Sequence, residues 1–234
     1  MNITVILPTH NESHSIRFTL NEIADSLKKI PHTSKIYIAE DGSIDNTRNE
    51  VADFASNSDI KIEISAPSPR LGYSKAIQEA ISNCKSEVLV FMDSDGQYDP
   101  EEISQLLNFL IPGTIVCGYR NPRRDSLQRI FYSNLFKSVF FILFRIKLKD
   151  PSSPFVASYL QDIEFLKDVN LKLNFGFWWE FQARVHDKNI KIIEIPVLHR
   201  NRVEGKTQVY KLKKLPKIVI THVSGLYKLK KELN

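Results

Sequence analysis

Cysteine is scarce in this chain of 234 residues: it has two, Cys84 and Cys117. They are far apart and match no metal-binding spacing, so two buried thiols in a reducing interior are the expectation. Long apolar runs are also missing. The richest stretch, Ser138–Phe144, is closed by Lys137 and Arg145, and none reaches the roughly 18 apolar residues that a spanning helix needs. The first residues, MNITVILPT, carry neither a basic leader nor a long apolar core, so no signal peptide is expected. Internal repeats, low-complexity tracts and obvious linkers are lacking as well.

What remains is ordinary globular material, 42% hydrophobic and 25% charged. It suffices for a substantial core in one large or two small domains. The formal charge of +5 is unevenly spread. Residues 1–120 hold 10 Lys and Arg against 17 Asp and Glu, residues 121–149 hold 7 against 1, and residues 200–234 hold 10 against 2. An acidic front thus precedes two basic segments, which suit phosphates or anionic lipid, or simply a solvated face. Nucleic acid is not expected as a partner. The basic segments carry no recognition motif, and the acidic clusters would repel a backbone.

Strands and helices alternate. Ile3–Pro8 is a continuous apolar run, as in a strand buried on both faces. Ser15–Lys29 has helical spacing at Ile16, Leu20, Ile23, Ala24 and Leu27. The pattern continues with a strand at Lys35–Ala39, a helix at Asn46–Phe54, a strand at Ile60–Ser65, a helix at Tyr73–Cys84 and a strand at Val88–Met92. A helix starts at Asp99-Pro100-Glu101-Glu102, where an N-cap, a first-turn proline and two acids coincide. A fifth strand is expected at Thr114–Gly118. Helices at Leu127–Phe144, Gln161–Val169 and Trp178–Asp187, a strand at Lys191–Val197 and a partly helical basic stretch at Tyr210–Leu233 complete the chain.

Such alternation implies a mostly parallel sheet with helices on both faces, and ligands bind beyond the carboxyl ends of its strands. Four polar clusters fall there: Thr9–Glu12, Glu40–Asp45, Asp93–Gln97 and Arg120. Asp93 and Asp95 stand one residue apart at the end of a buried strand. They would repel each other unless a cation or a solvated loop separates them. Mg²⁺ or Mn²⁺ favours such oxygen ligands and completes its shell with substrate phosphates. Gln97 adds an amide oxygen. The plainer alternative is a polar turn before the next helix.

Together the ordered segments VILPTHNE, IAEDGSIDNT, RLGYSKA, MDSDGQYDPEE, VCGYR, RIFYS and HRNRVEGKT resemble the inverting family-two glycosyltransferases. Nearest among these are the dolichyl- and polyprenyl-phosphate sugar transferases. The resemblance covers residues 3–208 and implies an α/β fold of the GT-A, Rossmann-like type. Residues 1–208 would form the catalytic domain, and 209–234 a basic amphipathic segment at a membrane surface. It further implies that Pro8, His10, Glu12, Ala39 and Asp41 line a nucleoside pocket, and that Asp93, Ser94 and Asp95, with Gln97, hold the ribose and diphosphate of the donor through Mg²⁺ or Mn²⁺. Arg120 would contact phosphate near the reaction centre, Arg129 and Ser133 would face an acceptor phosphate, and Arg202 and Lys206 would close over the diphosphate. Asp93, Asp95, Arg120 and Arg129 are the candidate catalytic residues.

Three positions depart from the family pattern. Glu40 stands where Asp is frequent, Gln208 where a closing Lys is expected, and Pro154 replaces a Gly in DPSSPF. The implied partners are a nucleotide-sugar of the GDP-mannose or UDP-glucose type, a polyprenyl or dolichyl phosphate, the cytoplasmic face of the membrane and a separate membrane subunit. Two alternatives stand beside this. Glu180, in FWWEFQ, would serve as general base if the acceptor were a saccharide hydroxyl. A module that binds nucleotide or lipid without catalysis would share the pocket and lack turnover.

Overall fold

The structure is a computed structural model that describes residues 1–66, 69–123, 127–173, 176–201 and 215–233, with side chains for all of these except 127–129 and 215–219. One sheet of seven strands organises it: β1 (Asn2–Thr9), β2 (Thr33–Glu40), β3 (Lys61–Ile64), β4 (Val88–Phe91), β5 (Thr114–Arg120), β6 (Val156–Tyr159) and β7 (Lys191–Val197). Their order is β3-β2-β1-β4-β6-β5-β7. β1, β2, β3 and β4 pair in parallel, as do β5 and β7. β6 lies antiparallel between β4 and β5. The chain steps outward from β1 through β2 to β3 and then returns to β1's other side with β4. A crevice therefore opens beyond the ends of β1 and β4, where such sheets bind ligands.

Alternation along the strands sends side chains to two buried layers. Ile3, Val5, Leu7, Ile36, Ile38, Val88 and Val90 pack with α1 (Ile16–Lys28) and α4 (Ile103–Asn108). Ile6, Tyr37, Leu89, Phe91, Ile115 and Cys117 pack with α3 (Tyr73–Asn83) and α7 (Phe177–Asp187). The helix α2 (Thr47–Ser56) lies beside α1. A side chain of this kind stabilises by about 1.5–3 kcal/mol when fully buried. Cys84 and Cys117 are free and buried, as expected.

A third cluster stands apart. Phe140 and Phe144 of α5 (Leu127–Phe144) meet Trp179 and Ala183 of α7 and Leu226 and Leu229 of α8 (Leu215–Leu233). Phe136, Val139 and Leu143 join its edge. At Gly225 a Cβ would run into the Leu173 side chain, so glycine is what permits α8 to approach the 170–173 segment this closely. The apolar side chains of α5 therefore split into two sets. Part of it packs inward, while Phe131 and Leu135 remain exposed, and so do Phe141 and Ile142. Among the described residues no helix is long and apolar enough to cross a membrane.

Two elements differ from expectation. β6 was not foreseen, and the helix expected over Gln161–Val169 is instead a short α6 (Leu160–Ile163) followed by a 3-10 turn at Glu164–Lys167. The Asp99 start holds, with the Asp99 side chain accepting from Glu101 N–H and Pro100 opening the first turn, which is 3-10 before α4 begins.

Candidate active site

The ends of β1 and β4 are tied directly. Met92 N–H donates to Ile6 O at 3.1 Å, and Ser94 Oγ donates to Pro8 O at 3.0 Å. Ser94 O in turn accepts from Thr19 Oγ1 at 3.1 Å and Ser15 Oγ at 3.3 Å. The loop carrying Asp93 and Asp95 is thus held from both β1 and the start of α1. Gly96, at φ +74°, makes the turn after Asp95, a conformation that costs glycine little. Asp95 Oδ1 accepts from Gln97 N–H at 3.1 Å.

After β1 the chain turns at Asn11, whose φ of +55° is one that asparagine tolerates. Its side chain and backbone lock onto the loop after β2: Ile44 N–H donates to Asn11 Oδ1 at 2.9 Å, and Asn11 N–H to Ser43 Oγ at 3.0 Å. Glu12 N–H donates to Thr47 Oγ1 at 2.9 Å, and Glu12 Oε2 accepts from Ser15 Oγ at 2.9 Å. His10 Nδ1 is buried and finds no hydrogen-bond partner among the described residues. An orphaned ring nitrogen in this place suits a polar group of a bound nucleoside. Ala39 lies within the buried cluster under α3. Asp41 Oδ1 accepts from Leu71 and Gly72 N–H at 2.6 and 2.8 Å, joining the β2 loop to the start of α3.

The longer acid at Glu40 is accommodated. It accepts from Arg48 Nη1 at 2.6 Å and from Ser43 N–H. Burial opposes its ionisation, but those donors outweigh it and hold the carboxyl below its usual range.

Asp93 Oδ1 lies 3.2 Å from the Tyr73 hydroxyl. Among the described residues no group of three or more His, Cys, Asp or Glu could hold a metal ion by itself. Asp93, Asp95 and Gln97 nevertheless offer only oxygen donors as candidate ligands. This fits Mg²⁺ or Mn²⁺, which draw the rest of their shell from water and a bound diphosphate. Gln97 also fastens the chain after β7: Arg200 N–H donates to Gln97 O at 2.8 Å, and Gln97 Nε2 to Arg200 O at 3.3 Å. Arg200 itself bridges Glu22 and Asp99. The segment that leads to Arg202 is therefore fixed beside the Asp95 loop, while Arg202, Lys206 and Gln208 lie outside the described residues.

At the end of β5 the arrangement differs. Arg120 Nε donates to Asp150 Oδ2 at 2.6 Å and Nη2 to Asp150 Oδ1 at 2.9 Å, a bidentate pair, and Nη2 also reaches Ser152 Oγ at 2.7 Å. Both residues of this pair are buried side chains. Burial raises the pKa of Asp150, but the guanidinium prevails and draws it down to about 2. Arg120 thus arrives with an internal partner that its spacing alone did not disclose. Ser133, on α5, accepts from Arg123 Nη1 at 2.8 Å. Arg123 had not been singled out. The Arg129 side chain lies outside the described residues.

Glu180 is 0% exposed and fully engaged. Oε2 accepts from Lys172 and Leu173 N–H at 2.7 and 2.8 Å, and Oε1 from Arg184 Nε and Nη2 at 2.9 and 2.7 Å. It braces the start of α7 against the preceding segment. Four donors and a cation leave it poorly suited to take a proton from an acceptor hydroxyl.

Comparison with known proteins bears on the family and the fold. Residues 4–161 match the family described as Glycosyl transferase family 2. The chain is 26% identical over 240 residues to the dolichol-phosphate mannosyltransferase of Pyrococcus furiosus, covering 99% of this chain and 64% of that one. It is 28% identical over 134 residues to an undecaprenyl-phosphate 4-deoxy-4-formamido-L-arabinose transferase of Pseudomonas fluorescens, covering 57% and 39%. The chain thus spans less than two thirds of the length of these curated relatives. Among solved structures, the glucosyl-3-phosphoglycerate synthase of Mycobacterium tuberculosis in complex with Mn²⁺ and UDP-glucose superposes with a TM-score of 0.71 at 16% identity, over 98% of this chain and 79% of that one. That likeness concerns the fold, which is the GT-A arrangement of a mostly parallel sheet flanked by helices. With a family match over well beyond half its length, the chain belongs to glycosyl transferase family 2.

Proposed function

We propose that this chain transfers a sugar, with inversion, from a nucleotide-sugar of the GDP-mannose or UDP-glucose type to a polyprenyl phosphate at the cytoplasmic face of a membrane. The observation that carries this reading is the engagement of Glu180, the acid that a hydroxyl acceptor would have required as base. A phosphate monoester has its second pKa near ~6, so its oxygen attacks already ionised. The names of the relatives, dolichol-phosphate and undecaprenyl-phosphate transferases, point to the same acceptor class.

In this mechanism the pocket of His10, Glu12 and Asp41 would take the nucleoside, and Asp93, Asp95 and Gln97 would hold a divalent cation. When bound, that cation supplies charge neutralisation for the leaving group. The bond from the anomeric carbon to the diphosphate oxygen breaks with its electron pair going to the diphosphate. The acceptor phosphate oxygen forms the new bond from the opposite side, and no proton needs to be removed. Arg120 and the Arg123–Ser133 pair supply cationic and hydroxyl donors that would orient that phosphate. Arg129, Arg202 and Lys206 belong to the same proposal on sequence grounds. The exposed apolar side chains Phe131, Leu135 and Ile142 of α5 and Ile220 of α8 would enter the interfacial layer. Lys228, Lys230 and Lys231, farther along α8, would meet anionic headgroups. A separate membrane subunit is part of this reading.

The test is a panel of nucleotide-sugars offered with a polyprenyl phosphate extract and Mn²⁺, followed by product mass. A polyprenyl phosphate gaining one sugar is expected. A glycosylated saccharide in its place would overturn the acceptor assignment, and no turnover with any donor would return the chain to a binding module.

A further inference from the structure

Tyr73 opens α3 in the RLGYSKA segment and has no role in the chemistry described so far. Its hydroxyl lies 2.8 Å from Trp178 Nε1 and 3.2 Å from Asp93 Oδ1. An indole N–H can only donate. It therefore fills an acceptor position on the phenol oxygen and leaves the phenol's proton for the carboxylate. The indole is itself held. Trp178 meets Phe91, Phe177 and Phe181 in edge-to-face contacts, with ring centroids 5.4, 5.0 and 5.3 Å apart. Phe91 is the last residue of β4, two positions before Asp93. A rigid line of contacts thus runs from the core through the indole and phenol to the first aspartate of the pair.

An aspartate on a loop beyond a strand end turns about its side-chain bonds, and fixing it when a ligand arrives costs conformational entropy. A donor anchored in the core removes much of that cost beforehand, as hydrogen bonds behind metal ligands do in general. We propose that Tyr73, braced by Trp178, is a positioning residue that sets the Asp93 carboxylate for the cation and donor diphosphate. This rests on the metal-dependent transfer proposed above, and it adds a residue and a direction of support that the strand-end acids alone do not supply.

The test is Mn²⁺ binding in the presence of UDP or GDP, followed by electron paramagnetic resonance, on wild type, Tyr73→Phe and Trp178→Phe, with turnover against Mn²⁺ concentration measured in parallel. Tyr73→Phe should weaken Mn²⁺ uptake about 10-fold, while turnover at saturating Mn²⁺ returns to within about two-fold of wild type, as pre-orientation of a ligand requires. Trp178→Phe, which keeps the phenol and loosens its brace, should weaken uptake less. If Tyr73→Phe folds poorly because the indole donor is stranded, the double variant Tyr73→Phe/Trp178→Phe removes that donor and should show the same Mn²⁺ defect. A folded Tyr73→Phe, or the double variant in its place, that binds Mn²⁺ like wild type overturns the proposal, as does one that loses turnover at every Mn²⁺ concentration with unchanged affinity. A wild type that takes up no Mn²⁺ with nucleotide overturns the metal reading itself, a result distinct from either.

Discussion

The two rims of the crevice are built differently. On the donor rim, proposed at the ends of β1, β2 and β4, backbone N–H groups and hydroxyls hold the acids beside partly exposed cations: Asp41 accepts from Leu71 and Gly72 with Arg70 at 3.6 Å, Glu40 from Ser43 and Arg48, Glu12 from Ser15 and Asp95 from Gln97. On the opposite rim, at the end of β5 and the start of α7, charges meet charges: Arg120 with Asp150, and Arg184 with Glu180. An anion arriving there must share a guanidinium with an internal acid. The acids of the first rim thus lean on their loop donors and on partly exposed arginines, and the other rim is first of all a set of buried ion pairs whose removal is felt as stability.

Four experiments would sharpen or break that contrast. Largest is Asp95→Ala, which should lower kcat/KM by about 10²–10³-fold with little change in folding. Its check is steady-state turnover beside an unfolding curve, and normal turnover would sink the donor-rim assignment. Glu180→Gln should do the reverse. Removing one member of a buried, hydrogen-bonded pair costs on the order of 3 kcal/mol, whereas turnover per folded molecule should persist. Urea unfolding with activity normalised to folded protein separates the two, and an intact fold without turnover would restore Glu180 as a base.

The Asp150–Arg120 pair predicts an acid-sensitive stability. The Asp150 carboxyl is held at about 2, below its ordinary 3.8. A folded-state pKa lowered in this way adds stability that is complete above pH ~4 and is lost as pH falls from ~4 toward ~2, about 2 kcal/mol in all. Asp150→Asn should flatten the stability profile across that window, and an identical slope in both proteins would contradict the pairing. Smallest is the membrane effect. Phe131→Ser with Ile142→Ser should reduce partition onto anionic vesicles about 10-fold without affecting turnover on a detergent-dispersed acceptor. Sedimentation with vesicles measures it, and unchanged partition would leave the outer face of α5 without a membrane role.

The donor rim was far more legible in the sequence than its counterpart. Buried strands that end in short acidic turns announce themselves locally, so the clusters at Thr9–Glu12, Glu40–Asp45 and Asp93–Gln97 are found where expected. β6 escaped because four residues, VASY, offer too short a run for periodicity, and its antiparallel pairing depends on partners far away in the chain. The pairing of Arg120 escaped because sequence spacing cannot reveal that Asp150, thirty residues later, lies against its fork. Glu180 was placed correctly in the first turn of a helix, but beside Arg184 one turn on, its partners include the N–H groups of Lys172 and Leu173, which come from the chain before that helix and carry no side-chain signal. Tyr73 was overlooked for the opposite reason. Its motif was noted, but an aromatic at a helix start looks like packing until the geometry shows which atom its hydroxyl meets.

Reversal of the single strand β6 has a consequence for how such an enzyme diversifies. Because that strand runs against both neighbours, it begins at the edge where β4 and β5 finish, so the residues feeding into it, Asp150 to Phe155, are delivered to the edge that carries Asp93 and Arg120 and not to the far side of the sheet. Substitutions in that short lead-in can retune the surroundings of Arg120 while every strand keeps its register.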